Sequence, residues 1–189
     1  MLVACGTPSP SLSSGDPLHD LITIDQLVAP DFTATAPPAH VDAATLALGD
    51  SSVASALAKD GLQSAARVEF QRAVDFAVSN GPIDVVATVE RFAAVGGASS
   101  AYSASEQQLD AIPGAVATST GPLGDEAHAI SVVRTTSSGM QAVEITIVWR
   151  VDNLVNIVVA RGRYGGTRLE DALVLAGLQT RNETAAGTA

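Results

Sequence analysis

An α+β fold, a mainly antiparallel sheet of about six strands covered by helices, is what this sequence predicts, and three observations carry that expectation. Residues 66–92 and 141–163 each alternate apolar and polar side chains on both sides of a two-residue turn signal, Asn80-Gly81 in one and Asp152-Asn153 in the other. Such alternation about a turn marks a β-hairpin. Residues 93–111 and 167–178 instead repeat their apolar side chains at helical spacing. Finally, the 189 residues are 47% hydrophobic and 4% aromatic, so a single domain with a core of Val, Ala, Leu and Ile is expected.

Taken in order, residues 1–17 read as a flexible tether rich in Ser, Pro, Gly and Thr, residues 18–180 as the folded domain, and residues 181–189 as a disordered tail. Folding is expected to begin near Leu18, where Leu21, Ile22, Ile24 and Leu27 concentrate branched apolar side chains. Residues 30–38 read as an irregular or extended link, because Pro37 and Pro38 lack backbone donors and disfavour helix before them. A short helix follows over 50–59, from Val53, Ala56 and Leu57 with Gly61 just past its end. Its alternative is a longer helix running to Ala66.

Placing a type I′ turn at Asn80-Gly81 sets Val78 opposite Ile83, Phe76 opposite Val85 and Val74 opposite Ala87. Gln71, Asp75, Asp84 and Glu90 then point to the other face. In the second hairpin Val151 faces Leu154, Trp149 faces Asn156, Ile147 faces Val158 and Ile145 faces Ala160. Glu144 falls opposite Arg161 and Ala142 opposite Arg163, but Val148, Val155, Ile157 and Val159 share that face. A sheet apolar on both faces wants a cover on both. Residues 93–111 supply one helix, ended by Pro113-Gly114. The last helix is marked by Thr167-Arg168-Leu169-Glu170, a capping box with Thr167 at the N-cap. Residues 115–118 and 126–135 read as two further strands.

Charge and composition exclude several classes. Ten Lys and Arg against twenty Asp and Glu give a net charge of −10, which argues against nucleic acid as a partner. One cysteine excludes an intrachain disulfide framework and a multi-Cys metal site. No apolar run approaches the roughly 18 residues of a membrane span. No nucleophile elbow, His-Glu-x-x-His or phosphate loop occurs, and His19, His40 and His128 are far apart. Asp125-Glu126 before His128 is read as a solvated turn in preference to a metal site. Neither a cofactor nor a catalytic residue is assigned, and the chain is read as not an enzyme.

Leu2-Val3-Ala4-Cys5 resembles the end of a bacterial lipoprotein signal, an apolar residue, a loose position and a small residue before the cysteine that carries the lipid. A complete signal also has a basic segment and an apolar stretch, so this reading places its start upstream of Met1. It implies a chain outside the cytoplasm, membrane-anchored through Cys5 or secreted. The 62–92 hairpin, Gly97-Ala98, the Gly124-Asp125-Glu126-Ala127 turn, the 134–163 hairpins and the 169–178 helix together resemble extracytoplasmic domains of actinobacterial lipoproteins. They are similar, too, to the external sensor domains of mycobacterial serine/threonine kinases. The resemblance spans residues 50–180 and implies a PsbP-like α/β sandwich that binds an envelope lipid, glycan or protein. The paired cysteines of the kinase sensor domains are missing here.

Three functions follow as expectations. The first is a non-catalytic binding module holding a lipid or glycan between helix and sheet, in a pocket lined by Trp149, Phe76 and Tyr102. Arg161 and Arg163, on one strand face, would meet a carboxylate or phosphate; against that, Glu144 is positioned to neutralise Arg161. The second is a structural or assembly partner in an envelope complex, with a filled core and an exposed apolar patch. An enzyme comes third.

Overall fold

The computed structural model describes residues 12–27, 29 and 31–186. Cys5 and the motif around it lie outside these residues. Among the described residues seven strands form one antiparallel sheet: β1 (Phe32–His40), β2 (Leu62–Arg72), β3 (Asp84–Phe92), β4 (Ala115–Thr118), β5 (Glu126–Thr135), β6 (Gln141–Val151) and β7 (Leu154–Arg163). Their spatial order is β1-β2-β3-β7-β6-β5-β4, so the last four strands form a meander and β7 docks on the β2–β3 pair. Among the described residues four α-helices complete the fold: α1 (Ala43–Leu46), α2 (Ser51–Lys59), α3 (Val95–Asp110) and α4 (Leu169–Ala186).

The sheet separates two cores, as its two apolar faces require. On one side Val85, Ala87, Val89, Ile145, Ile147 and Trp149 pack against Ala172, Leu175 and Ala176 of α4. On the other, Phe92, Val148 and Val155 pack against Ala98, Ala101 and Tyr102 of α3. The β6–β7 register is the expected one, from Val151 opposite Leu154 to Ala142 opposite Arg163. Trp149 and Ile147 are fully buried.

Other expectations are corrected. The seventh strand is β1, in the stretch expected to be an irregular or extended link: it is extended, but hydrogen-bonded into the sheet. Its prolines are tolerated because β1 is an edge strand, paired only to β2, with register shifts on either side of Ala36. In the first hairpin Val85 pairs with Phe70 and Ala87 with Val68, six positions earlier than expected. The shift is even, so the apolar face is kept. Its cause lies in the connection: only Gly81 of the Asn80-Gly81 pair has positive φ, +75°, whereas a type I′ turn needs it at both. The Asn80-Gly81 loop is instead tied to the segment before α4, where Gly81 N donates to Gly166 O at 2.8 Å and Thr167 Oγ1 donates to Gly81 O at 2.9 Å. Residues Phe76–Val78 form a 3₁₀ turn capped by Asp75.

That use of Thr167 also removes it from the expected capping box, and Asp171 accepts from Arg168 N at the start of α4. The short helix starts after an Asp50 cap and ends at Lys59, with Gly61 at φ +85°. Both ends of the domain reach further than expected. Ser13 N donates to the Asn153 side chain, and Pro17 is buried in a 3₁₀ turn. At the other end α4 runs to Ala186, so 181–186 are helical, held where Asn182 donates to Leu21 O at 2.8 Å.

Candidate functional site

The residues expected to line one pocket are not brought together. Trp149 is sealed under α4, its Nε1 donating to Thr180 Oγ1 at 3.1 Å. Tyr102 belongs to α3 and packs on the opposite face of the sheet, where burial and the nearby Glu106 and Glu126 push its hydroxyl up to about 12. Phe76 sits in the β2–β3 connection, half-buried.

The arginines are occupied. Arg161 bridges Glu144, at 2.5 Å, and Asp84, at 2.8 Å. Arg163 holds the β2–β3 connection through Ser79 O at 3.1 Å and Asn80 Oδ1 at 3.4 Å. Likewise Asp125 and Glu126 bind Arg150, at 3.0 and 3.4 Å, while His128 faces Asp110 and Glu106 of α3. Among the described residues no group of three or more His, Cys, Asp or Glu is arranged to hold a metal ion.

A cavity of about 390 Å³ opens on the α4 side of the sheet. Three pieces build it: Val174, Leu175 and Leu178 of α4, Leu27 and Phe32 around the start of β1, and Asn80-Gly81-Pro82 with Val85. Helical spacing places the α4 side chains on one stripe. The Gly81 and Thr167 hydrogen bonds bring the loop in to form the opposite wall. Gln26, Asn80 and Asp171 add polar groups to apolar walls. Arg163 enters indirectly, because it positions Asn80.

No protein-family model and no curated protein matches this chain. Among solved structures, the extracellular domain of PknH from Mycobacterium tuberculosis is similar at a TM-score of 0.61, with 12% identity over 88% of this chain and 93% of that one. An uncharacterized protein from Mycobacterium smegmatis is similar at a TM-score of 0.43, with 13% identity over 89% of this chain and 97% of that one. The first likeness, at that identity, is one of fold, and it agrees with the sandwich that the sequence predicts.

Two further features were missed in the sequence. A second cavity of about 330 Å³ lies between α2, α3 and the sheet, and Glu90 of β3 lines it. Alternation along β3 placed Glu90 on the polar side of the hairpin; that face is in fact covered, and Glu90 is 5% exposed. Burial pushes its carboxyl up to about 7. The other feature is a polar seam under the end of α4. There Gln179 donates to Thr88 O at 3.0 Å and to Asn156 Oδ1 at 2.9 Å. Glu183 and Asp20 are buried beside it. Burial, then the nearby Asp20 charge, pushes Glu183 up to about 8, against the pull of the Asn156 side chain. Burial also raises Asp20, with Arg91 and His19 opposing it.

Proposed function

We propose that this chain is a non-catalytic extracytoplasmic binding module, anchored to the membrane by a lipid on Cys5, that holds an amphiphile in the cavity between α4 and the Asn80-Gly81-Pro82 loop. The cavity carries the reading. Its volume of about 390 Å³ falls in the range of roughly 300–1,000 Å³ of small-molecule sites, and mostly apolar walls with a few polar groups are their usual make-up. Leu27, Phe32, Val85 and Leu178 suit an alkyl chain. Gln26, Asn80 and Asp171 suit a neutral, hydroxyl-rich head, since a carboxylate among them disfavours an anion. A lipid bearing a sugar or glycerol head joins both properties. The lipoprotein-like Leu2–Cys5 motif and a fold shared with an extracellular domain support the location.

The test uses n-octyl glucoside below its micelle concentration, titrated into the protein and followed by methyl NMR. Saturable shifts of Leu27, Val85 and Leu178 are expected. Val174 is 51% exposed at the cavity, so Val174→Arg leaves the fold intact and is expected to weaken binding at least about tenfold by closing the mouth with a charge. Absence of saturable binding, or binding unchanged by V174R, overturns the reading.

A further inference from the structure

We propose that the cavity between α2, α3 and the sheet is a second binding site, for an organic cation that places an ammonium group against Glu90 and an apolar body against the surrounding side chains. Strand geometry puts the carboxyl there. Along β3, Val85, Ala87 and Val89 face α4, so Glu90 faces α3, flanked in register by Ala65 of β2 and Val155 of β7. Around it the cavity is lined by Leu46 of α1, Val53 and Leu57 of α2, Ala101 of α3 and Ile157 of β7.

Glu90 is 5% exposed, and burial, with no hydrogen bond or neighbouring charge beside it, is what acts on its carboxyl among the described residues. A charged carboxylate so far removed from water and without a partner is unfavourable. The neighbouring charges select the ligand. Arg67, diagonal to Glu90 on β2, is engaged by Glu69 at 2.6 Å. Asp60, which follows α2, also lines the cavity and adds a second carboxylate. Ser52, Ser105 and Gln108, from α2 and α3, are its neutral polar groups, and no Lys, Arg or His lines it. An anion is therefore repelled, and a neutral hydrophobe leaves Glu90 unpaired. An ammonium ion satisfies it. Access is available because the lining residues Ser52, Ala56, Ala104 and Gln108 are exposed.

Titrating the full chain with benzylamine and with its neutral counterpart benzyl alcohol, followed by methyl NMR, tests the site. Benzylamine at about pH 8.5 is expected to shift Leu57, Ala101 and Ile157 saturably, at least about tenfold more tightly than the alcohol. Burial alone raises the Glu90 carboxyl to about 7, so affinity for the amine is expected to fall as pH drops below that value. Glu90→Gln keeps the shape and is expected to abolish the preference for amine over alcohol. Ala104→Leu, at the exposed rim, keeps the carboxyl and is expected to weaken both. Equal binding of the two probes, an E90Q variant that keeps the preference, no saturable benzylamine binding, or shifts confined to the α4 cavity would each overturn the proposal.

Discussion

Gly97 sits in the first turn of α3, pressed against the end of α2. A Cβ at this position meets the Asp60 carbonyl oxygen at 1.9 Å, whereas a Cβ on the adjacent Gly96 meets nothing within 4 Å. The two glycines therefore separate packing from helix propensity. Gly97→Ala is expected to destabilise the protein by about 2–3 kcal/mol through overpacking. Gly96→Ala is expected to stabilise it by about 0.5–1 kcal/mol. Urea unfolding of the two variants checks the pair, and equal effects would remove the close approach as the reason for glycine. Gly97-Ala98 was visible in the sequence as a short motif, but its reason was not, because the carbonyl it avoids belongs to an element more than thirty positions earlier. Glu144 and Arg161 were legible as a pair, since cross-strand register alone sets them opposite; Asp84, the other partner of Arg161, comes through the β3–β7 pairing.

At the scale of elements, α4 joins the two ends of the domain, because the Asp20 segment and Glu183 meet beneath it over a buried polar seam. Glu183 keeps its proton up to about pH 8 in the folded protein, against an ordinary value of 4.5. Between those values the native state binds more protons than the unfolded chain, so stability declines as pH rises through this window. Asp20 and Glu90, also raised by burial, act in the same direction. Glu183→Gln is expected to raise Tm by several degrees at about pH 8.5, change it little at about pH 5, and flatten the pH profile between them. A profile parallel to that of the parent protein contradicts this. Nothing local in residues 181–186 signalled the seam. Their polar composition reads as a frayed end, and only the docking of Asn182 against Leu21 and Gln26 makes it a buried helix terminus.

For the whole molecule, the sheet is a partition with the two proposed sites on opposite sides, and a net charge of −10 leaves little electrostatic attraction to an anionic bilayer. Under the proposed reading, a lipid at Cys5 is what would hold the protein at a membrane. Expressed with its native upstream sequence in an actinobacterial host, the protein is expected to enter the detergent phase with a diacylglycerol mass on Cys5, and Cys5→Ser to remain aqueous. An unmodified Cys5 rules out the anchor and leaves the two cavities to be tested on their own.

Local rules by themselves determined the α+β class, the β6–β7 register, the presence of the helices expected over 50–59 and 93–111 and found at Ser51–Lys59 and Val95–Asp110, and the need to cover both faces of the sheet. All of these follow from side-chain period and turn chemistry within a few tens of residues. Tertiary structure decided the rest. The β2–β3 register moved six positions because the Asn80-Gly81 loop binds the segment before α4 rather than closing on itself. The proline-containing link became a strand because β2 offered it a free edge. Trp149 and Tyr102 were separated because Trp149 points from β6 to the α4 face, whereas Tyr102 is carried by α3, which packs on the opposite face. Glu90 and Glu183 acquired their character only from what packs over them, and burial by distant elements is the one property that a residue's sequence neighbours do not encode.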